Sequence, residues 1–150
     1  MPHEFSNSTR SHILVALVFA GVGLASGLVG GHGLATVTPP TQHKGISVKL
    51  LGKIAPDMIE KAVGLKGYQL MVRAASVAPG GHIANHDHVG RPGLVAMTGG
   101  ELVNVRNGIE EAFTADNGKA IIEDEDTVHW LYNPGDEPAT MILCDLRPPK

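Results

Sequence analysis

The sequence predicts an all-β fold, a sandwich or barrel of short strands, carried behind an apolar N-terminal segment. Three observations support this. Nineteen Gly and ten Pro in 150 residues favour a turn-rich β chain over a helical bundle. Short apolar or alternating runs recur at near-regular spacing between turn signals, as in sandwiches and barrels. Aromatic residues make up 4% of a chain that is 43% hydrophobic, so Val, Ile, Leu and Ala must fill the interior.

Taken in order, residues 13–35 are almost wholly apolar or small (ILVALVFAGVGLASGLVGGHGLA). Two readings compete: a secretory signal peptide, with Gly33 and Ala35 as the small residues before a cleavage site, or an uncleaved membrane anchor. The cleaved signal is favoured because the strongly apolar core, Ile13–Ala20, is short. Both readings place the remainder outside the cytoplasm, in the periplasm or secreted. The division is therefore 1–35 signal peptide or anchor, 36–45 linker around Pro39-Pro40, and 46–150 folded domain.

Within that domain Ile46–Ile54 is a first strand, and Pro56–Glu60 a turn or short helix. Tyr68–Val77 is a strand ended by the turn Pro79-Gly80-Gly81. Leu94–Met97 runs to Thr98-Gly99-Gly100, and Glu101–Arg106 meets Ile109–Thr114 through Asn107-Gly108, the strongest hairpin dipeptide in the chain. Ala120–Ile122, Thr127–Tyr132 and Ala139–Leu146 complete the strands.

The composition excludes several classes. A net charge of -3 with no Lys/Arg cluster leaves no electrostatic footprint for nucleic acid. The single cysteine, Cys144, forbids an intrachain disulfide and a Cys-based zinc framework; in Met141-Ile142-Leu143-Cys144 it reads as a small buried hydrophobe.

The histidines are more informative. His86 and His88 are two apart, so on a strand both rings leave the same face and can approach one ion. His129 lies on a later strand just after a turn. Three imidazoles with an open position recur as a catalytic metal site. Eight histidines make some chance pairing expected, and spacing alone does not decide between ligands and ordinary histidines.

Two longer patterns bear on that choice. Gly80-x5-His86-x-His88, ending at Gly100, resembles the first motif of the cupin superfamily, and Gly118-x5-Asp124-x-Asp126-x2-His129-x3-Asn133 resembles the second. The resemblance spans about Ile46–Leu146 and implies a double-stranded β-helix, a jelly roll around a pocket. It implies His86, His88 and His129 as metal ligands, with Fe, Mn, Zn or Ni as the divalent ion. The family's Glu ligand would fall at Pro92 or Gly93, where no carboxylate stands, so the expected site has three His and no acidic fourth partner. Asp124 and Asp126 also replace the usual Pro and Gly of the second motif.

Such a centre suits a small polar or anionic substrate in an oxygenase, isomerase or lyase. The alternative is a non-catalytic small-molecule-binding cupin with a degenerate metal site. Arg91, three residues beyond His88, could bind a substrate carboxylate, and His82 shares the parity of His86 and could face the same pocket. Trp130 and Tyr132 alternate against His129 and belong to the opposite face, for packing or a dimer contact. The acidic run Glu123–Asp126 reads as a solvated turn. Cupins often pair through edge strands, which implies a homodimer.

Overall fold

One long strand, β2 (Gln69–Asp87), organises the architecture. Its first half pairs with β8 (Ala139–Arg147) from Gln69↔Arg147 to Val77↔Ala139, and its second half pairs with β7 (Val128–Tyr132). The turn expected at Pro79-Gly80-Gly81 is therefore a corner, at which one strand passes from one sheet to the other. Close approach of the backbone explains the glycine at the bend. A Cβ on Gly81 would lie 2.8 Å from the carbonyl oxygens of both Ala78 and Lys44.

The computed structural model describes residues 38–149. The apolar run 13–35 lies outside them; among the described residues no helix is long and apolar enough to cross a membrane. The remaining elements are β1 (Lys44–Ile54), α1 (Pro56–Val63), β3 (Gly93–Gly99), β4 (Glu101–Arg106), β5 (Ile109–Thr114) and β6 (Ala120–Glu123). Pro56 at the helix start and left-handed Gly64 just past its end bound α1, which settles the choice between turn and helix. Part of the segment expected as a linker is docked: Pro40 O accepts from Asn85 N, and His43 Nδ1 from Ala84 N.

All strand pairs are antiparallel, in the order β5-β4-β7-β2-β8-β3-β6, with β1 added along β2. The barrel is thus closed by strand pairing except between β5 and β6. There the Lys119–Glu111 ion pair (3.3 Å) and an Arg106 Nη2 hydrogen bond to Ile122 O (2.9 Å) span the opening. The β4–β5 hairpin turns at Asn107-Gly108 with φ of 54° and 76°, the positive pair a type I′ turn demands. This is the all-β double-stranded β-helix that the two motifs implied.

Alternation sorts the side chains. Val77, Val95, Met97, Leu102, Phe113, Ile121, Leu131, Ala139 and Met141 project inward from both sheets as one apolar core. Val103, Val105 and Trp130 form a smaller cluster on the outer face of β4 and β7, with Tyr132 stacked on Trp130 at 5.3 Å. Asn133 joins the sheets: its Nδ2 donates to Val77 O and Glu137 O while its Oδ1 accepts from Gly135 N. Cys144 is half-buried and takes the parity opposite inward-facing Asp145, so it stands on the outer side rather than in the core.

Candidate metal centre

The ends of three strands, β2, β6 and β7, converge at one mouth of the barrel. β2 brings His86, with His88 just past its end, and β7 brings His129, which pairs directly with His86. His88 and His129 are 2% and 0% exposed, and His86 is half-buried. His88 Nε2 lies 3.0 Å from His86 Nε2 and 3.1 Å from His129 Nε2, so all three rings aim the same atom at one point.

Hydrogen bonding at the far side of two of the rings fixes what their Nε2 atoms carry. His86 Nδ1 donates to Ala84 O at 2.8 Å, and His129 Nδ1 donates to Asn104 Oδ1 at 2.8 Å. Each Nδ1 therefore holds the ring proton, and each Nε2 presents a lone pair. Burial lowers the pKa of all three: His88 to about 4, with the Arg91 charge adding to the effect, and His129 to about 3, with the neighbouring imidazoles adding. At neutral pH three uncharged rings face each other with at most one hydrogen to share. His88 can donate to one neighbour only, which leaves another lone pair opposed. A cation at the convergence point removes that conflict. Nitrogen ligands about 2.1 Å from an ion and at right angles to one another sit roughly 3.0 Å apart. The donor set fits a divalent transition metal.

The site contains an acid that sequence reading placed in a solvated turn. Glu123, the last residue of β6, is 7% exposed, with Oε1 3.6 Å from His129 Nε2 and Oε2 3.4 Å from His88 Nδ1. Ligand atoms from His86, His88, Glu123 and His129 all lie within 4.8 Å of one another. The expectation of a site without an acidic partner is corrected. The physical reason lies in the register: Glu123 pairs directly with Gly93, one of the two positions where the resemblance places its missing carboxylate. A Cβ on Gly93 would stand 2.9 Å from Glu123 Oε2. The acid reaches the centre from the neighbouring strand, through the space a side chain at Gly93 would fill. Desolvation raises the Glu123 pKa to about 7, against the pull of nearby Arg91. Parity offered a clue, since Glu123 lies two residues beyond buried Ile121.

Two other candidates separate. Arg91 is partly exposed beside the cluster, its Nη2 donating to Asp87 O, and its charge depresses His86 and His88. His82 does not join the site. A bulge between Ile83 and His86 inserts one residue and reverses parity, so His82 pairs with outward-facing Tyr132 while Ile83 packs on the core.

Fold and site together define the class: the chain has the cupin fold, with a histidine–carboxylate cluster at the barrel mouth. No protein-family profile and no curated protein matches it. Its fold matches solved structures. A sugar phosphate isomerase from the cupin superfamily of Silicibacter pomeroyi is 26% identical, with TM-score 0.53 over 70% of this chain and 61% of that one. The chain thus spans about three fifths of that protein. A predicted oxalate decarboxylase from Thermotoga maritima is 14% identical, with TM-score 0.54 over 75% of this chain and 96% of its own. KdgF from a Halomonas species is 18% identical, with TM-score 0.52 over 71% and 81% of the two chains.

Proposed function

We propose that this protein is a metal-dependent cupin enzyme, with one divalent transition metal held by His86, His88 and His129 and with Glu123 as the acidic partner. The carrying observation is the convergence of three Nε2 atoms, 3.0 and 3.1 Å from the central one, while two of the rings spend their Nδ1 protons on fixed acceptors. When bound, the metal supplies Lewis acidity and charge for a small polar or anionic substrate.

The protein's own groups divide the remaining work. Ala84 O and Asn104 hold two rings in the ligating tautomer. Glu123 directs one oxygen toward the ligand cluster and the other toward His88 Nδ1. In the metal-free protein burial poises the Glu123 carboxyl near neutrality, and a bound cation would favour its ionised form, so metal binding and proton release are linked at this residue. The fold neighbours named as an isomerase and a decarboxylase make enzymatic use of such a barrel a natural reading. The apolar run 13–35 supports an exported protein, cleaved or anchored.

Elemental analysis of untagged protein, loaded in turn with Fe(II), Mn(II), Zn(II) and Ni(II), tests the centre. We expect near one ion per chain, lost in His86→Ala and in His129→Ala while the fold persists by circular dichroism. Sub-stoichiometric loading by all four ions, or retention in both variants, overturns the reading.

A further inference from the structure

Across the barrel from the histidines, the same mouth holds charges that the metal does not use. On β2 and β8, residues Arg73, Asp145 and Arg147 take the inward parity of Ala75 and Met141, two, four and six residues nearer the mouth. Asp145 is 3% exposed. Arg73 Nη2 donates to its Oδ1 at 3.0 Å, and Arg147 Nη1 approaches its Oδ2 at 3.8 Å. Gly93 pairs with Asp145 on one side and Glu123 on the other. A Cβ there would lie 3.2 Å from Asp145 Cβ and 2.9 Å from Glu123 Oε2, so the two groups adjoin across one bare backbone position.

The charges do not balance within this group. One carboxylate between two guanidiniums leaves a net positive charge within this group. Among the described residues, the buried Arg73 Nε and Asp145 Oδ2 have no hydrogen-bond partner. Leaving the Arg73 Nε donor unspent in a desolvated place is costly unless something else receives it, whereas Asp145 Oδ2 is an acceptor that faces Arg147 Nη1 at 3.8 Å. Both arginines remain reachable, at 19% and 18% side-chain exposure. Structure alone does not need the pair, because β2 and β8 are already joined by nine consecutive rungs.

We propose that Arg73 and Arg147, spaced by Asp145, form an oxyanion subsite within the barrel mouth, which grips a carboxylate or phosphate of a small acid whose other end lies at the histidine cluster. The planar fork of each guanidinium suits two oxygens of one such group. The subsite rests on the proposed metal centre for the far end of the ligand only. It assigns the substrate class: a small molecule bearing at least one oxyanion away from its reacting end.

Calorimetric titration of the full chain with malonate, and separately with inorganic phosphate, tests this, with metal content measured on the same samples. Wild type binds at least one of the two probes, and the arm that binds identifies the oxyanion. In Arg147→Gln that affinity falls at least tenfold with metal content unchanged. Arg73→Lys keeps the charge but loses the fork, and falls less. Unchanged affinity in both folded variants overturns the subsite, as does absence of binding to metal-loaded wild type. Wild type without metal overturns the metal centre instead, and the arginine dependence is then read on the metal-free chain. Arginine-dependent binding there upholds the subsite, and its absence overturns it.

Discussion

The two ends of the barrel use the same strands for opposite purposes. Toward the closed end, inward positions carry Val77 on β2, Leu102 on β4, Ile121 on β6, Leu131 on β7 and Met141 on β8, each at most 2% exposed. Two to four residues along those strands, the inward positions become Arg73, Asn104, Glu123, His129 and Asp145. Strand alternation guarantees only that both sets point inward. What differs is that the apolar set gains by leaving water, whereas the polar set must find partners or a ligand. One end therefore holds the fold and the other holds the chemistry.

Substitutions at the two ends should separate these roles. The largest effect belongs to the closed end. Leu102 is fully buried, and Leu102→Ala should cost about 2–5 kcal/mol of stability by denaturant unfolding, with metal content unchanged in the folded fraction. A comparable loss of metal without loss of stability would erase the distinction. At the open end, Asn104→Leu removes the acceptor for His129 Nδ1 and should weaken metal binding roughly 10–100-fold in competition with a chelator. Unaltered affinity would mean that packing alone holds the ring.

The smallest effect is a pH dependence confined to the open end. In the metal-free protein, His86, His88 and His129 stay neutral when folded but take up protons when unfolded below about 6.5. Their contribution is lost as pH falls from there, through about 4 for His88 and about 3 for His129. Glu123 acts in the other direction. Its folded pKa of about 7 exceeds the unfolded 4.5, so the stability it contributes at low pH is lost as pH rises through that window. Glu123→Gln should steepen the gain in melting temperature between pH 5 and 7; an unchanged slope would remove Glu123 from this balance.

Much of this was legible in the sequence, for physical reasons that differ by residue. Asn107-Gly108 marked its hairpin because few other dipeptides accept two positive φ angles, and the His86/His88 spacing survived because local alternation holds there. His82 was misplaced because the bulge before His86 depends on pairing with β7, which no local pattern encodes. Pro79-Gly80-Gly81 reads as a reversal in one dimension but bends a strand between sheets in three. Glu123 was hidden by its acidic neighbours: parity with Ile121 hinted at an inward side chain, but the β3–β6 register was needed to show that it reaches the histidines while Asp124, Glu125 and Asp126 stay in water. Arg73 and Asp145 lie 72 positions apart, and nothing in either stretch announces the other.

The bare position at Gly93 has a wider bearing. A barrel that lacks its acid on one strand can recruit it from the adjacent strand, provided the vacated spot stays empty. Exchanging the two residues, Gly93→Glu together with Glu123→Gly, would then place the carboxylate on β3 instead of β6. Chains that lack the motif's glutamate should not be set aside as inert barrels until the residue facing that gap has been inspected.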